Sequence, residues 1–235
     1  KYIEHEKFSL ESCLEKNKVV FIKSPMGTGK SYSFKQIFDG HTYQSVCYLS
    51  CKRAFAASMT SEFAEYGFVN YDEISPKDSI SCQDRIICSV ESAHYLRQAY
   101  DLVVIDESES ICDNLTGGMI QKNNPVGNIT AIHSIIKHSS KVVVMDAYLT
   151  TRSFDMIRMI TEKKREDCFY LKNDFQFEPR FARIYSGKNC KGKFNSVLRN
   201  KLREGKRCVV VMGGKAYSEA IEDMLKGEGI TYTLH

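Results

Sequence analysis

Apolar runs of four to six residues recur along the chain, separated by longer stretches in which apolar and polar residues alternate with helical spacing. The runs Val19–Ile22, Ser45–Ser50, Ile86–Ser89, Leu102–Ile105 and Val142–Met145 are short and rich in Val and Ile, as strands buried on both faces are. Between them the spacing predicts helices over Ser31–Phe38, Lys52–Tyr66, Val90–Gln98 and Ile129–His138. An amphipathic helix is expected before the first strand, over Lys1–Asn17, with Ile3, Leu10, Cys13 and Leu14 on one side. Strands alternating with helices predict an α/β fold with a parallel sheet and helices on both faces.

The rhythm breaks twice. Residues Gly117–Asn128 (GGMIQKNNPVGN) are rich in Gly, Asn and Pro and read as a mobile loop. Near Thr161–Pro179 a charged stretch, TEKKRED, reads as a solvated helix end and precedes the extended stretch NDFQFEP. A second βαβ series then begins: strand Phe181–Tyr185, helix Phe194–Arg203, strand Cys208–Met212, helix Ala216–Lys226 and strand Ile230–Leu234. The expected division is therefore a first domain over 1–178 and the opening of a second over 179–235. The chain starts without methionine and ends in mid-pattern, so it is expected to be a piece of a longer polypeptide.

The 235 residues are 43% hydrophobic, enough for sizeable cores, and the formal net charge is +4. That mild basicity is compatible with nucleic acid and equally with an ordinary basic enzyme. The nine cysteines are odd in number and form no CxxC pair, which argues against a zinc site and a disulfide framework. An intracellular, reducing compartment follows as the simple expectation. No apolar run approaches a membrane span, and no membrane partner is expected.

The chemistry concentrates where strands end. After the first strand come Ser24, Pro25, Met26, Gly27, Thr28, Gly29, Lys30 and Ser31, a phosphate-cradling loop followed by a helix. Backbone N–H groups and the helix N-terminus would face an anion, Lys30 would reach the outer phosphates, and the Ser31 hydroxyl would ligate Mg²⁺. Gly27 and Gly29 let the backbone approach the phosphates. Ser24 stands where the usual pattern has glycine. The strand Leu102–Ile105 ends in Asp106 and Glu107, 76 residues after Lys30. Asp106 is expected to hold Mg²⁺, and Glu107 to orient and deprotonate the attacking water. Each carboxylate alone would pass for an ordinary strand end; together with the loop they form an ATPase pair.

Three more strand ends carry candidate residues. Ser50, Lys52 and Arg53 in SCKRAF suit a nucleic-acid phosphate at a helix start, against a plain solvated helix start. Ser89 and Glu91 in SVESAH would line the same edge, whereas His94 fits an ordinary polar helix position. In MDAYLT, Asp146 and Thr150 suit coupling of nucleotide state to the second domain. Gly213 in MGGK permits close backbone approach near nucleic acid but lacks the length of a phosphate loop.

Taken in order, SPMGTGKS, SCKRAF, SVESAH, DESE and MDAYLT resemble the motifs of a superfamily 2 helicase, and more narrowly those of the herpesvirus origin-binding protein family. The resemblance covers about Val19–Ile160 and is only architectural after Arg180. It implies two RecA-like domains with ATP between them and single-stranded nucleic acid across the top. Lys30, Ser31, Asp106 and Glu107 match the nucleotide positions; Ser50, Lys52, Arg53, Ser89 and Glu91 match the strand-contact region. Tyr148 replaces the family's threonine, leaving Thr150 as its substitute, and the late second-domain motifs with their arginine finger do not occur in the sequence. The implied function is an ATP- and Mg²⁺-dependent DNA helicase or translocase in DNA replication, with origins as candidate sites and replication proteins as candidate partners. Single-stranded or partly duplex nucleic acid is the expected substrate, in the host nucleus or a viral replication site if the source is viral. A nucleotide kinase, a small-molecule ATPase and a non-catalytic nucleotide-binding scaffold remain the alternatives.

Overall fold

The computed structural model describes residues 9–39, 42–51, 53–96, 99–117, 124–175, 184, 186–211 and 214–231, with the backbone alone at 53, 54, 78, 79 and 81. The chain divides into two compact units, Lys1–Phe177 and Glu178–His235.

In the first unit, a short helix α1 (Leu10–Lys16) is capped by Ser9, whose hydroxyl accepts from Ser12 N. Then follow β1 (Val19–Lys23), α2 (Lys30–Asp39), β2 (Val46–Ser50), α3 (Arg53–Glu62), β3 (Val69–Asn70), β4 (Arg85–Ser89) and β5 (Leu102–Asp106). After these come α4 (Ser108–Thr116), α5 (Pro125–His138), β6 (Lys141–Asp146), α6 (Thr151–Thr161) and β7 (Cys168–Lys172). The strands form one seven-stranded sheet in the order β3-β4-β2-β5-β6-β1-β7, and every pairing is parallel.

The expected P-loop α/β fold is present, and its central strands lie within a residue of their predicted bounds. Residues Val46–Ser50 and Leu102–Asp106 are buried throughout, because helices cover both sheet faces. One face is filled by aromatics: Phe38 packs its ring centroid 5.4 Å from Phe63 and 5.0 Å from Phe68, and Tyr48 lies 5.9 Å from Phe63.

Differences from the sequence pattern lie between the strands. Val90–Tyr95 forms 3-10 turns rather than an α-helix, and the chain is extended at Leu96. Helix α5 begins at Pro125, so the last residues of the expected loop are helical. Asn124 caps it by accepting from Gly127 N, and Pro125 at the first position has no N–H to leave unpaired. Residues 118–123 of that loop lie outside the described residues. Helix α4 and the outer strands β3 and β7 had no counterpart in the pattern, and of α6 only its solvated end at Thr161 was expected.

The second unit contains α7 (Cys190–Arg203) and α8 (Lys215–Gly227), packed through Leu198, Ile221 and Leu225. Of the three strands expected there, residues 181–183, 185, 212 and 232–235 lie outside the described residues, and Cys208–Val211 is described without strand pairing. Val209 and Val211 are both more than 90% exposed.

Candidate functional site

Because all seven strands run the same way, the carboxyl ends of β1, β2, β4, β5 and β6 lie along one edge of the sheet. Ligands of open α/β sheets bind at that edge. It gathers the phosphate-type loop after β1, Ser50 and Cys51 at the end of β2, Ser89 and Glu91 at that of β4, Asp106 and Glu107 at that of β5, and Asp146 and Thr150 at that of β6. Of the predicted site residues, Lys52 and Gly213 lie outside the described residues, and Arg53 begins α3 with only its backbone described.

The loop turns through Gly27 and Gly29, whose φ angles of 71° and 86° are reached without strain only by glycine. Lys30 folds back onto the loop, donating to Ser24 O at 2.8 Å and Pro25 O at 3.0 Å. Its ammonium is held below the usual lysine range by burial, which the charges of Asp106, Asp146 and Glu107 only partly offset. Ser31 follows, half-buried, at the start of α2. Ser24, at the position where glycine is usual, is fully buried and bolts the loop down. Its hydroxyl lies 2.6 Å from Thr28 Oγ1 and accepts from Asn173 Nδ2 at 3.0 Å, just past β7. Thr28 in turn donates to Pro25 O, and Ser24 N donates to Asp146 O.

Asp106 is 5% exposed. Tyr48 O–H donates to its Oδ2 at 2.7 Å, and Glu107 N donates to Oδ1 at 2.9 Å. Burial raises its carboxyl above the usual range against the opposing pull of these bonds and of Lys30. A divalent cation would fit this acceptor-only group, whose two donors leave lone pairs unused. Glu107 adopts a left-handed backbone conformation, φ 54° and ψ 52°, uncommon for a residue with a side chain. Its Oε2 accepts the thiol of Cys51 at 3.0 Å.

Glu109 is a site residue that sequence reasoning missed. Its Oε1 accepts from Thr150 N (2.8 Å), Thr150 Oγ1 (2.9 Å) and Ser153 Oγ (2.6 Å), while Oε2 accepts from Arg152 at 3.0 Å. Glu109 N donates to Asp146 Oδ2 at 2.9 Å, and Asp146 Oδ1 accepts from Tyr148 N. The end of β5 is thus tied directly to the end of β6. Arg152 also reaches Asp113 at 2.6 Å. Tyr148 itself is 77% exposed, and Thr150 makes the contacts.

The β2 and β4 ends differ from expectation in accessibility. Ser50 and Ser89 are buried, and Ser89 donates to Tyr71 O–H at 3.1 Å. His94 is structural, as its polar helix-like setting suggested: its N and Nδ1 both pair with Oδ1 of the buried Asn128 on α5. Glu91 lines a cavity of about 320 Å³ together with Tyr71, Lys77, His94 and Tyr95.

The family model for the origin of replication binding protein matches residues 5–208. The chain belongs to this origin-binding family. A protein of Acanthamoeba polyphaga mimivirus, uncharacterized and named as a helicase candidate, is 25% identical over 96% of the chain and 22% of its own length. The replication origin-binding protein of human herpesvirus 6B is 25% identical over 88% of the chain and 27% of its own length. The chain therefore spans only about a quarter of these relatives. Among solved structures, a hypothetical ATP-dependent RNA helicase of Sulfolobus tokodaii shares 14% identity at a TM-score of 0.48, covering 70% of this chain and 50% of that one. Among the described residues no helix is long and apolar enough to cross a membrane.

Proposed function

We propose that this origin-binding family chain carries the ATP-hydrolysing part of a nucleic-acid motor, a helicase or translocase acting on single-stranded or partly duplex DNA during replication. The carrying observation is the convergence of a glycine-turned loop, the half-buried Lys30 and the Asp106–Glu107 pair on one sheet edge, beside the β2 and β4 ends.

In this reading ATP lies along the Ser24–Ser31 loop, and its outer phosphates displace the loop carbonyls from Lys30. Ser31 and Asp106 are the residues that would hold Mg²⁺, which when bound neutralises charge on the phosphates. Glu107 orients a water in line with the terminal phosphorus and takes its proton, while the oxygen bridging to ADP leaves with the bond electrons. Asp146, Glu109 and Thr150 respond together to the change, since one hydrogen-bonded chain joins them. Lys52, Arg53 and Glu91 would contact the strand, with the buried Ser50 and Ser89 supporting that edge from beneath; in the second unit, Gly213 would let its own backbone approach nucleic acid closely. Binding there is dominated by phosphate contacts and weakens with salt. The working location is a reducing compartment where the DNA is copied.

ATP turnover by the full-length protein, measured with and without single-stranded DNA, tests this directly. Several-fold stimulation that disappears in Lys30→Ala and Glu107→Gln is expected. Turnover unaffected by DNA would overturn the motor, and turnover surviving both substitutions would overturn the site.

A further inference from the structure

The side chain expected to act as base already has a partner, and that partner belongs to a different motif. Glu107 Oε2 accepts the Cys51 thiol at 3.0 Å. Cys51 is 2% exposed and closes the end of β2. Its carbonyl accepts from Asn114 Nδ2 at 3.1 Å, so α4, the helix that Glu107 opens, also holds the main chain of the same residue.

The strand order gives this contact a direction. β5 stands between β2 and β6, and β1 with its loop lies beyond β6. A Glu107 carboxylate engaged by Cys51 therefore leans toward β2, away from the loop that would hold the phosphates. The electrostatics agree: Asp106 acts on Lys30 most strongly, Asp146 next and Glu107 least of the three. Glu107 N is bonded to Asp106 Oδ1, so the carboxylate can cross by side-chain rotation with that bond kept. The chain continues from Cys51 into the strand-contact segment, and α3 starts two residues on.

Resting on the motor function proposed above, we propose that Cys51 is a positioning residue: its thiol holds Glu107 in a resting orientation, and nucleic acid bound at the segment that follows draws the thiol away and frees the carboxylate. A thiol is a weak donor, which suits a restraint that binding must break. The contact makes DNA stimulation a local event between adjacent strands, with no movement of the phosphate loop required. A carboxylate that a bound strand must free responds as a two-state element, biased by a few-fold in population.

Cys51→Ala and Cys51→Val remove the donor, and they bracket the thiol's size with a smaller and a slightly larger apolar side chain. Cys51→Ser keeps a donor. ATP turnover is measured for each in the full-length protein, without DNA and with saturating single-stranded oligonucleotide, after thermal unfolding confirms that each is folded. Both apolar variants are expected to raise the DNA-free rate about three- to ten-fold while the DNA-saturated rate stays within about twofold, so the stimulation ratio collapses. Cys51→Ser is expected to restore that ratio toward wild type, which a role in packing alone would not produce. Apolar variants with the wild-type ratio, or with both rates lowered alike, overturn the coupling alone. Wild-type protein that DNA does not stimulate overturns the motor and the coupling together.

Discussion

Tyr48 and Asp106 meet at the sheet edge: the phenol O–H of one donates to Oδ2 of the other at 2.7 Å, with both side chains buried. The bond spans neighbouring strands, β2 and β5, and it stabilises the charged carboxylate that burial disfavours. The tyrosine is pushed well above its ordinary range by burial and by Asp106, so it stays protonated and remains a donor.

Tyr48→Phe removes that donor without changing the ring packing. Asp106 then loses a bond that holds its carboxyl down, and its protonation moves to higher pH. The acid limb of the ATPase pH profile is expected to shift upward, and stability to fall by about 1–2 kcal/mol because Asp106 Oδ2 loses a buried partner. A rate profile from pH 4 to 8, with urea unfolding at neutral pH, checks both.

Asp106→Asn separates function from stability. The carboxyl titrates higher in the folded chain than its ordinary 3.8, so ionising it costs folding energy, and that cost sets in as pH rises through the interval between the two values. The amide variant avoids the cost. Its melting temperature is expected to exceed wild type by about 2–5 °C at neutral pH, with the gain vanishing below about pH 4. Lys30 loses its strongest attracting charge but keeps the Ser24 and Pro25 carbonyls, which limits the loss. Hydrolysis should be lost in the same protein.

The opposite sign applies at Glu109. Burial pushes its carboxyl up, but the donors from Ser153, Thr150 and Arg152 outweigh burial and hold it below the usual range. Its stabilising contribution is therefore present above the ordinary glutamate value and is lost as pH falls through the depressed one. Glu109→Ala should cost about 2–3 kcal/mol at pH 7, where it removes three hydroxyl or amide contacts and the tie to α6, and much less at pH 3. Urea unfolding at the two pH values distinguishes this from a pH-independent packing loss.

These interactions also show what could be read in the chain. The central strands were legible because runs such as Leu102–Ile105 are apolar on both faces, and Gly27 and Gly29 mark the loop that only positive φ angles can close. Helix α4 was not legible: SESICDNLT buries only Ser108, Ile111 and Cys112, and it starts from the left-handed Glu107 rather than from a recognisable cap. β7 carries Cys168, Phe169 and Leu171 only half-buried at an edge, beside a charge run that obscures them. Asn124 and Pro125 open α5 but sit inside a Gly- and Asn-rich stretch that reads as loop. Glu109, the third acid in DESE, carries no local sign of its role, because the partners that give it one lie more than 40 residues further on. The site was visible as types of residue at strand ends, but the bonds between those ends depend on tertiary pairing.

Ser24 offers the sharpest test of how the loop is held. Glycine is usual at this position, yet the serine hydroxyl here joins Thr28 inside the loop to Asn173 beyond β7. Ser24→Gly restores the common pattern while cutting both bonds and adding backbone freedom at a buried position. It is expected to destabilise the protein by about 1–3 kcal/mol, since the Asn173 amide and the Thr28 hydroxyl each lose a partner and the glycine adds unfolded-state entropy. Lys30 bonds the Ser24 main-chain carbonyl, which the substitution retains, so nucleotide affinity should fall by less than about tenfold. Calorimetric unfolding and titration with a non-hydrolysable ATP analogue separate the two effects. A variant as stable as wild type would show that the Ser24 hydroxyl contributes nothing to holding the loop.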